Sequence, residues 1–301
     1  MPSSPHSTPP QIFDRSLLER RRARIASRAV EHEFLLTRIG EDIAERLMAV
    51  RREFPVVAEI GAHHGVIGRA LTATAGLQRL ISLENTQGLL AQCSGARVTG
   101  DIEALPLAPG SIDLAVSALA LHFTNDLPGA LAQIRRALKP DGLFLGSLLG
   151  GSTLHELRAA WLAAEADVTG GASPRVAPFA DVRDLGSLLQ RAGFALPVVD
   201  SETLTVTYAT PFALMAEIKA MGASNMLTER SRRPVTRRLI ARAAEIYAER
   251  FALANGRIPA TFEIITLTAW APADSQPKPL KPGSATTRLA DALGVPETKL
   301  K

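Results

Sequence analysis

Apolar residues recur along this chain with two different periods. A helix is predicted for residues 38–52, because apolar side chains return there every three or four positions, at Ile39, Ile43, Leu47 and Val50. Short apolar runs then alternate with helical segments. The runs predict strands at about 56–60, 80–83, 96–99, 112–117 and 142–148. Such alternation predicts an α/β fold with a parallel, doubly wound sheet and a ligand at the carboxyl ends of its strands.

The second half of the chain predicts additions to this sheet. Further helices are expected at about 16–30, 153–167 and 181–192, and further strands at 198–208 and 261–270. Residues 209–260 have a helical pattern and are too long for a hairpin, so we expect a helical lid over the substrate side. The proline- and lysine-rich residues 272–282 predict a linker. A short amphipathic piece around Leu289 and Leu293 is either a docking helix, which we favour, or frayed.

The first apolar run ends in a turn bounded by glycines. Residues 56–65 read Val-Val-Ala-Glu-Ile-Gly-Ala-His-His-Gly, with the acid Glu59 just before the turn. Glycine lets a backbone approach a ligand closely, and the helix that follows points its N–H groups into the same crevice. Two cofactors suit this geometry, a dinucleotide and S-adenosylmethionine. The dinucleotide fingerprint requires a glycine where this chain has His63.

Acids after the next two apolar runs favour S-adenosylmethionine. Glu84 closes the second run, where a carboxylate can accept hydrogen bonds from ribose hydroxyls of either cofactor. Asp101 follows the third run and is placed to accept from an adenine amino group, with Ile102 packing on the ring. The next run contains Asp113.

These motifs, together with residues 138–142 (Leu-Lys-Pro-Asp-Gly), resemble the class I S-adenosylmethionine-dependent methyltransferases. Within that superfamily the chain is similar to the family of mitochondrial respiratory complex I assembly factor 5 and its bacterial homologues. The segments that carry this narrower resemblance are residues 13–15, 121–128, 150–158, 221–225 and 259–262. The resemblance extends from about Phe13 to Trp270, and it also reaches the malonyl-carrier-protein methyltransferases of biotin synthesis.

The resemblance implies a Rossmann-like seven-stranded class I methyltransferase fold with N-terminal helices and a helical lid insertion. Its implied divisions are an N-terminal extension, a cofactor-binding core, the lid, a final core strand and a tail, at residues 1–37, 38–208, 209–260, 261–271 and 272–301. The implied cofactor is S-adenosyl-L-methionine. The implied cofactor-binding residues are Glu59, Gly61, Ala62, His63, Gly65, Glu84, Asp101, Ile102 and Ser117.

The glycine loop departs from the family pattern at one informative position. The family loop reads acid-Leu-Gly-Cys-Gly-x-Gly, whereas here Ala62 replaces the cysteine and His63 replaces the middle glycine. That glycine lies against the methionine part of the cofactor in the family. An imidazole there could crowd the cofactor, hydrogen-bond it or replace a water.

Polar residues after the fourth and fifth strands are candidates for catalysis and substrate binding. His122, Asn125 and Asp126 follow the fourth strand, and His122 is either a general base with a near-neutral pKa or a packing residue. Thr153 and His155 follow the fifth strand as candidate substrate contacts. The alternative for that segment is a helix cap made by Ser152 or Thr153.

Positive charge is concentrated in the lid. Residues 229–257 contain eight arginines and three glutamates, while the whole chain carries a net charge of +4. Arg237 and Arg238 are the candidate substrate-binding pair in this region. The other arginines of the cluster are Arg230, Arg232, Arg233 and Arg242. The pattern favours an acidic partner, such as a carrier protein or another protein surface, or a solvated helix face above a buried stripe of Val235, Leu239, Ala243 and Ile246.

The composition restricts the class of protein. With 46% hydrophobic and 21% charged residues, the chain is expected to form a globular core, and no apolar run reaches the roughly 18 residues of a membrane helix. Aromatic residues make up only 5%, which disfavours nucleic-acid binding. The one cysteine, Cys93, is expected to be a small packing residue, and we expect a cytoplasmic location. No metal-ligand spacing is present.

The sequence therefore predicts a methyltransferase acting on a protein or a protein-bound acceptor. One alternative is a respiratory complex I assembly factor, acting either as a protein-arginine hydroxylase or as a scaffold without catalysis and binding a complex I subunit. A second alternative is a malonyl-carrier-protein O-methyltransferase. Arginine hydroxylation would ordinarily use iron or another redox cofactor, and the sequence shows no facial triad for iron.

Overall fold

A computed structural model describes residues 11–72 and 76–277, together with the single residues 284, 291 and 294. Within these residues seven strands form one sheet, in the order β3-β2-β1-β4-β5-β7-β6. The strands are β1 Val56–Ile60, β2 Arg79–Glu84, β3 Ala96–Thr99, β4 Ile112–Ala118, β5 Leu138–Leu149, β6 Ala195–Tyr208 and β7 Ile258–Trp270. All seven predicted strands are confirmed, and β5, β6 and β7 begin three or four residues earlier than predicted.

The sheet is parallel from β1 to β5 and antiparallel at one edge. Parallel pairs join β3 to β2, β2 to β1, β1 to β4 and β4 to β5, whereas β7 lies antiparallel between β5 and β6. The strand order reverses between β1 and β4, so a crevice opens there at the carboxyl ends of the strands. The glycine loop that follows β1 lies in this crevice.

The helices cover both faces of the sheet. They are α1 Arg15–Ile25, α2 Phe34–Ala49, α3 Val66–Leu71, α4 Gln87–Leu90, α5 Leu127–Ala137, α6 His155–Thr169, α7 Val182–Arg191, α8 Pro211–Ala220 and α9 Arg237–Phe251, with 3-10 helices at Ala26–His32 and Leu121–Phe123. Alternate residues of β4 enter two separate cores. One core contains buried residues of α2, α6 and α9, and the other contains buried residues of α5 and α7.

Two predicted helices have different bounds in the structure. The leading helix, expected at 16–30, is α-helical only to Ile25 and continues as a 3-10 helix to His32. Asp14 caps its start by accepting a hydrogen bond from the Leu17 N–H at 2.9 Å. The helix expected at 38–52 begins four residues earlier, at Phe34, and stops at Ala49 because Val50 is extended.

The insertion between β6 and β7 contains α8 and α9. α9 packs mainly against α6 and places Ala243, Ile246 and Tyr247 in the core. Val235, expected in that buried stripe, is exposed because it precedes the helix. The expected tail helix around Leu289 and Leu293 lies outside the described residues, and so does the end of the expected linker. No helix in the described part is long and apolar enough to cross a membrane.

Candidate functional site

The glycine loop turns sharply at the end of β1. Gly61 and Gly65 have φ angles of +70° and +80°, a left-handed conformation that glycine adopts without steric cost. A Cβ at Gly61 would lie 2.3 Å from the Cβ of Ala120, so the turn also has no room for a side chain. The N–H groups of Gly61 and Ala62 donate to the Leu83 carbonyl at 2.9 Å, which holds the loop against β2.

Glu59 lies behind this loop and lines neither pocket described below. Its carboxylate is 1% exposed and accepts hydrogen bonds from the Gly68 N–H at 3.1 Å and the Ser82 hydroxyl at 3.3 Å. Burial raises the pKa of Glu59 to about 7. This carboxyl group therefore orients the start of α3, and contact between Glu59 and a cofactor stays a prediction.

Glu84 and Ile102 meet Gly61 around a small pocket of about 20 Å³, which also reaches Ala120. The Glu84 carboxylate accepts hydrogen bonds from the N–H groups of His63 at 3.1 Å and Thr86 at 3.0 Å. These bonds hold a nearly buried carboxylate at the mouth of the crevice. The acid is thus preorganised to accept hydrogen bonds from vicinal hydroxyls.

The roof of the small pocket is helix α1. Arg15, Leu18 and Arg22 of this helix line the pocket, and Arg15 forms a double hydrogen bond with Asp101 at 2.6 and 3.0 Å. Asp101 was expected to face adenine, and its oxygens instead bind Arg15 and the Glu103 N–H. Arg15 and Arg22 of α1 therefore lie over the position predicted for the nucleoside.

Two other predicted cofactor residues are packing residues. Ser117 is fully buried in β4 and donates its hydroxyl hydrogen to the Ile60 carbonyl at 2.8 Å. Its contact with the cofactor stays a prediction. Ala62 packs with Leu90 and Cys93 in a small apolar cluster. Burial raises the pKa of Cys93 to about 12, and its thiol points to the His63 carbonyl.

His63 forms a hydrogen bond with an arginine of the N-terminal helix. Its Nε2 atom lies 3.3 Å from the Arg22 guanidinium, and an arginine can only donate, so Nε2 is the acceptor. Burial, followed by the neighbouring charge of Arg22, holds the pKa of His63 well below its usual range. His63 also has a φ angle of +50°. The residue that replaces a family glycine is thus a neutral acceptor for Arg22.

A large pocket of about 140 Å³ adjoins the small one, and the two share Arg22 and Phe123. Its walls come from α1 and the 3-10 helix after it, from the start of α6, from residues 175–179, and from residues 218–226 at the end of α8. Most of the lining is apolar, including Leu154 and Phe262. An apolar pocket with a few polar groups at one end is the usual form of a site for an organic substrate.

His122 is the predicted catalytic residue that reaches this large pocket. Its ring packs against Phe123 and Phe179, with centroid distances of 4.0 and 5.5 Å. Neither ring nitrogen has a hydrogen-bond partner among the described residues. Burial, helped by Arg22, lowers the pKa of His122 to about 3. The expected near-neutral pKa is therefore wrong, and His122 is a weak base that stays uncharged at pH 7.

Asn125 and Asp126, predicted to be catalytic, both bind backbone groups in this structure. Asn125 accepts a hydrogen bond from the Phe13 N–H at 2.8 Å and donates to the Phe13 carbonyl at 3.2 Å. Asp126 caps α5 by accepting from the Gly129 N–H at 2.8 Å. Neither residue lines a pocket. Sequence proximity to the strand end suggested catalysis, but the chain turns these side chains toward the N-terminal segment and the helix start.

Thr153 and His155 do not contact the large pocket either. Thr153 is fully buried, and its hydroxyl bonds the backbone of Glu263 on β7 at 3.1 and 3.2 Å. The side chain of His155 is half-exposed and lies near the Ser152 carbonyl. The alternative prediction of a side-chain cap is also wrong, because α6 begins after Leu154 without one.

Arg237 and Arg238 are exposed at the start of α9 and line neither pocket. Of the other arginines in this cluster, Arg230 pairs with Asp14 at 3.0 Å and Arg242 pairs with Asp167 at 2.9 Å. The substrate role predicted for Arg237 and Arg238 therefore cannot be contact inside a pocket. It remains open for a protein that docks on the surface.

Arg22 is the residue of this site that sequence reasoning missed. It stands in a run of arginines that reads as solvated, yet only 5% of it is exposed. Its signal was helical spacing, because Arg22 follows the buried Leu18 by four positions and so lies on the same face of α1. Phe179 was missed as well, since it lies in an irregular segment.

The described part of the chain contains no cluster of three His, Cys, Asp or Glu side chains that could hold a metal ion.

Comparisons with known proteins agree with this geometry. Residues 58–146 match a family model described as a methyltransferase domain. The chain is 38% identical to the mitochondrial arginine-hydroxylase NDUFAF5 of Danio rerio, over 93% of this chain and 89% of that protein. It is 35% identical to a malonyl-[acyl-carrier protein] O-methyltransferase of a Methylovorus strain, over 87% of this chain and 90% of that protein.

A solved structure from Bacillus halodurans, described as a methyltransferase, has the same fold. It superposes with a TM-score of 0.54 at 15% identity and covers 77% of this chain and 100% of that one.

Proposed function

Because this chain belongs to the class I methyltransferase superfamily, in the family that includes the NDUFAF5 proteins, we propose that it is an S-adenosylmethionine-dependent methyltransferase. The acceptor is a group on a protein or carried by a protein. The observation that carries the proposal is the buried Glu84 carboxylate beside Gly61, at the point where the strand order reverses.

The residues present suit a nucleoside cofactor in their chemistry. Glu84 would accept hydrogen bonds from the ribose hydroxyls, and Ile102 would pack on the base. Gly61 provides a close backbone approach that a side chain would block. When bound, S-adenosylmethionine supplies a methyl group activated by its sulfonium. Helix α1, tied down by Arg15, would open to admit it and then exclude water.

The acceptor would enter through the large pocket and meet the cofactor where the two pockets share Arg22 and Phe123. Catalysis would come mainly from proximity and orientation in an apolar enclosure. His122, with a pKa of about 3, would orient the acceptor by hydrogen bonding and would be a poor proton acceptor. The mechanism therefore suits an acceptor that reaches the site already as a nucleophile, such as a carboxylate.

The test is a calorimetric titration with S-adenosylhomocysteine, comparing the wild type with Glu84→Ala. We expect the variant to bind roughly 10- to 100-fold more weakly, because hydrogen bonds to a charged group contribute about 1.5–3 kcal/mol. Glu202→Ala is the control, since Glu202 is an exposed acid on β6 that pairs with Arg38. Equal affinities for all three proteins would remove Glu84 from the cofactor site, and no binding by the wild type would refute the proposal.

The NDUFAF5 relatives support a second candidate, hydroxylation of a protein arginine, because they are named arginine-hydroxylases and match along nearly their whole length. Mass spectrometry of a candidate protein acceptor, incubated under air with this chain, S-adenosylmethionine and a chemical reductant, distinguishes the two activities. Methyl transfer adds a methyl group to the acceptor. Hydroxylation adds one oxygen atom of dioxygen, while the other atom is reduced to water by two electrons from the reductant. An acceptor that gains oxygen and no methyl group would overturn the first candidate in favour of the second.

The partner would dock on the exposed arginines near the start of α9. Arg232, Arg233, Arg237 and Arg238 are exposed there, and this chain segment follows the residues 218–226 that line the large pocket. An acyl carrier protein is the partner class named for the malonyl-carrier relatives, and we propose one with an acidic surface. An acidic respiratory subunit would present the same kind of charge.

A further inference from the structure

Arg22 occupies a position that surface arginines do not share. It lies on the inner face of α1, is 5% exposed, and borders both the small and the large pocket. Its guanidinium lies over the Phe123 ring at 5.8 Å from the ring centroid. A permanent positive charge is thus placed at the junction of the two pockets.

This guanidinium has no carboxylate partner among the described residues. Its one hydrogen bond among the described residues is to the neutral His63 Nε2 at 3.3 Å. Other arginines of the site differ: Arg15 pairs with Asp101 and Glu103, and the pocket-lining Arg175 pairs with Glu165. The negative charge of Glu84 acts on Arg22, but the Glu84 carboxylate and the Arg22 guanidinium do not form an ion pair within 4.0 Å. Burying an unpaired charge costs several kcal/mol, so its retention calls for a reason.

The surroundings of Arg22 orient it toward the pockets. His63 fixes one edge of the guanidinium through a single bond, and four of its five N–H donors are left for other acceptors. A planar guanidinium in an apolar enclosure matches the two oxygens of a carboxylate and binds them through parallel hydrogen bonds. The enclosure also excludes the water that would weaken such a pair.

We propose that Arg22 is the binding site for a carboxylate group of a ligand at the junction of the two pockets. The proposal rests on the proposed function, and it leaves two sources for the group. One source is the amino-acid end of the adenosyl cofactor, reaching past Gly61. The other is a carboxylate on the acceptor, held in the large pocket.

Binding measurements with matched ligands separate these sources. S-adenosylhomocysteine carries the amino-acid carboxylate, whereas 5′-methylthioadenosine keeps the adenosine and the sulfur without it. Malonate and uncharged malonamide, at fixed ionic strength, probe the acceptor side through thermal stabilisation. The variant is Arg22→Met, which removes the charge and keeps the length. The control is Arg24→Met, the same change at an exposed position of the same helix.

We expect Arg22→Met, relative to Arg24→Met, to lose roughly 10- to 100-fold in affinity for S-adenosylhomocysteine and to bind 5′-methylthioadenosine unchanged. Loss of malonate stabilisation alone would assign the carboxylate to the acceptor. The proposal is overturned if neither carboxylate ligand weakens, or if both adenosyl ligands weaken equally and malonate does not. If the wild type binds no adenosyl ligand, the proposed function fails, and malonate against malonamide decides the role of Arg22 by itself.

The stability of the ligand-free protein tests whether Arg22 has a merely structural role. If Arg22 serves a ligand, replacing an unpaired buried charge with methionine leaves the unfolding midpoint equal to or higher than that of the wild type. A large fall in the midpoint, with unchanged ligand preferences, would show that Arg22 is there to pack α1, and it would contradict the proposal.

Discussion

Single residues around the glycine loop place ionisable groups where water cannot reach them. Glu59 is held between the Gly68 N–H and the Ser82 hydroxyl, and burial raises its pKa to about 7. Its native carboxyl group therefore keeps a proton over a range of pH in which the unfolded chain, with a value of 4.5, has lost it. The burial of Glu59 therefore makes the stability of the folded protein depend on pH.

Glu59→Gln should remove this dependence. Between about pH 4.5 and pH 7 the native state binds more protons than the unfolded state, so wild-type stability falls as the pH rises through this window. Above pH 7 the variant should gain up to about 3 kcal/mol in free energy of unfolding over the wild type, measured against their difference below the window. Urea unfolding of both proteins on each side of the window measures the gain.

The histidines that are buried in the folded protein titrate in this window once the chain is unfolded, but they are present in both proteins and cancel in the difference. Glu202→Gln, at an exposed position, is the control for the loss of one carboxyl group. A constant difference between Glu59→Gln and the wild type across the window would show that Glu59 titrates normally in the folded protein.

Among the elements, the N-terminal strap (residues 11–32) covers the candidate site. Its start is fixed at three points: Phe13 to Asn125, Asp14 to Arg230, and a backbone bridge from Phe13 to Leu227. Its helix α1 then covers the small pocket. The strap is thus tied both to the loop after β4 and to the loop after α8.

Asn125→Ala should loosen the strap without disturbing the sheet. The change removes two hydrogen bonds to the Phe13 backbone, and we expect a loss of about 1–3 kcal/mol, felt locally as faster amide exchange in residues 11–25. Asp126→Ala is the neighbouring control, which should cost about 1 kcal/mol at the start of α5 and leave the strap unchanged. Hydrogen exchange read by mass spectrometry compares them, and equal protection of the strap in both variants would contradict this role for Asn125.

At the scale of the whole molecule, exposed arginines on α9 and on α7 lie on opposite faces of the sheet. α9 packs into the core that contains α6, while α7 packs into the core of the opposite face. The exposed arginines that precede and begin α9 follow, along the chain, the residues 218–226 that line the large pocket. We propose the face that carries them as the docking face for an acidic partner.

Reversing Arg237 and Arg238 to Glu should weaken binding of an acidic acyl carrier protein at least tenfold at low ionic strength, and should flatten the salt dependence of the affinity. The matched control reverses Arg183 and Arg191, which are exposed on α7 and give the same change in net charge on the opposite face. Binding measured over a series of salt concentrations checks the prediction. Equal losses in the two double variants would indicate general attraction rather than a docking face.

The sequence by itself determined the architecture of this protein and the position of the crevice at the carboxyl ends of its strands. Alternation of apolar runs with helical periods predicted all seven strands, because burial on both faces of a sheet imposes that pattern locally. Glycines at 61 and 65 marked the turn, since positive φ angles select glycine directly. Glu84 could be placed at the crevice because the carboxyl ends of adjacent parallel strands share one edge.

Only the tertiary structure decided what the polar side chains near this edge do. Asn125, Asp126 and Thr153 occur at the expected strand ends, yet each satisfies a backbone group that comes close only in the folded chain. Arg22 shows the converse. It is distant in sequence from the glycine loop, yet it lines both pockets because α1 packs across the crevice. Local patterns specify which face of an element is buried, whereas long-range packing specifies what that face meets.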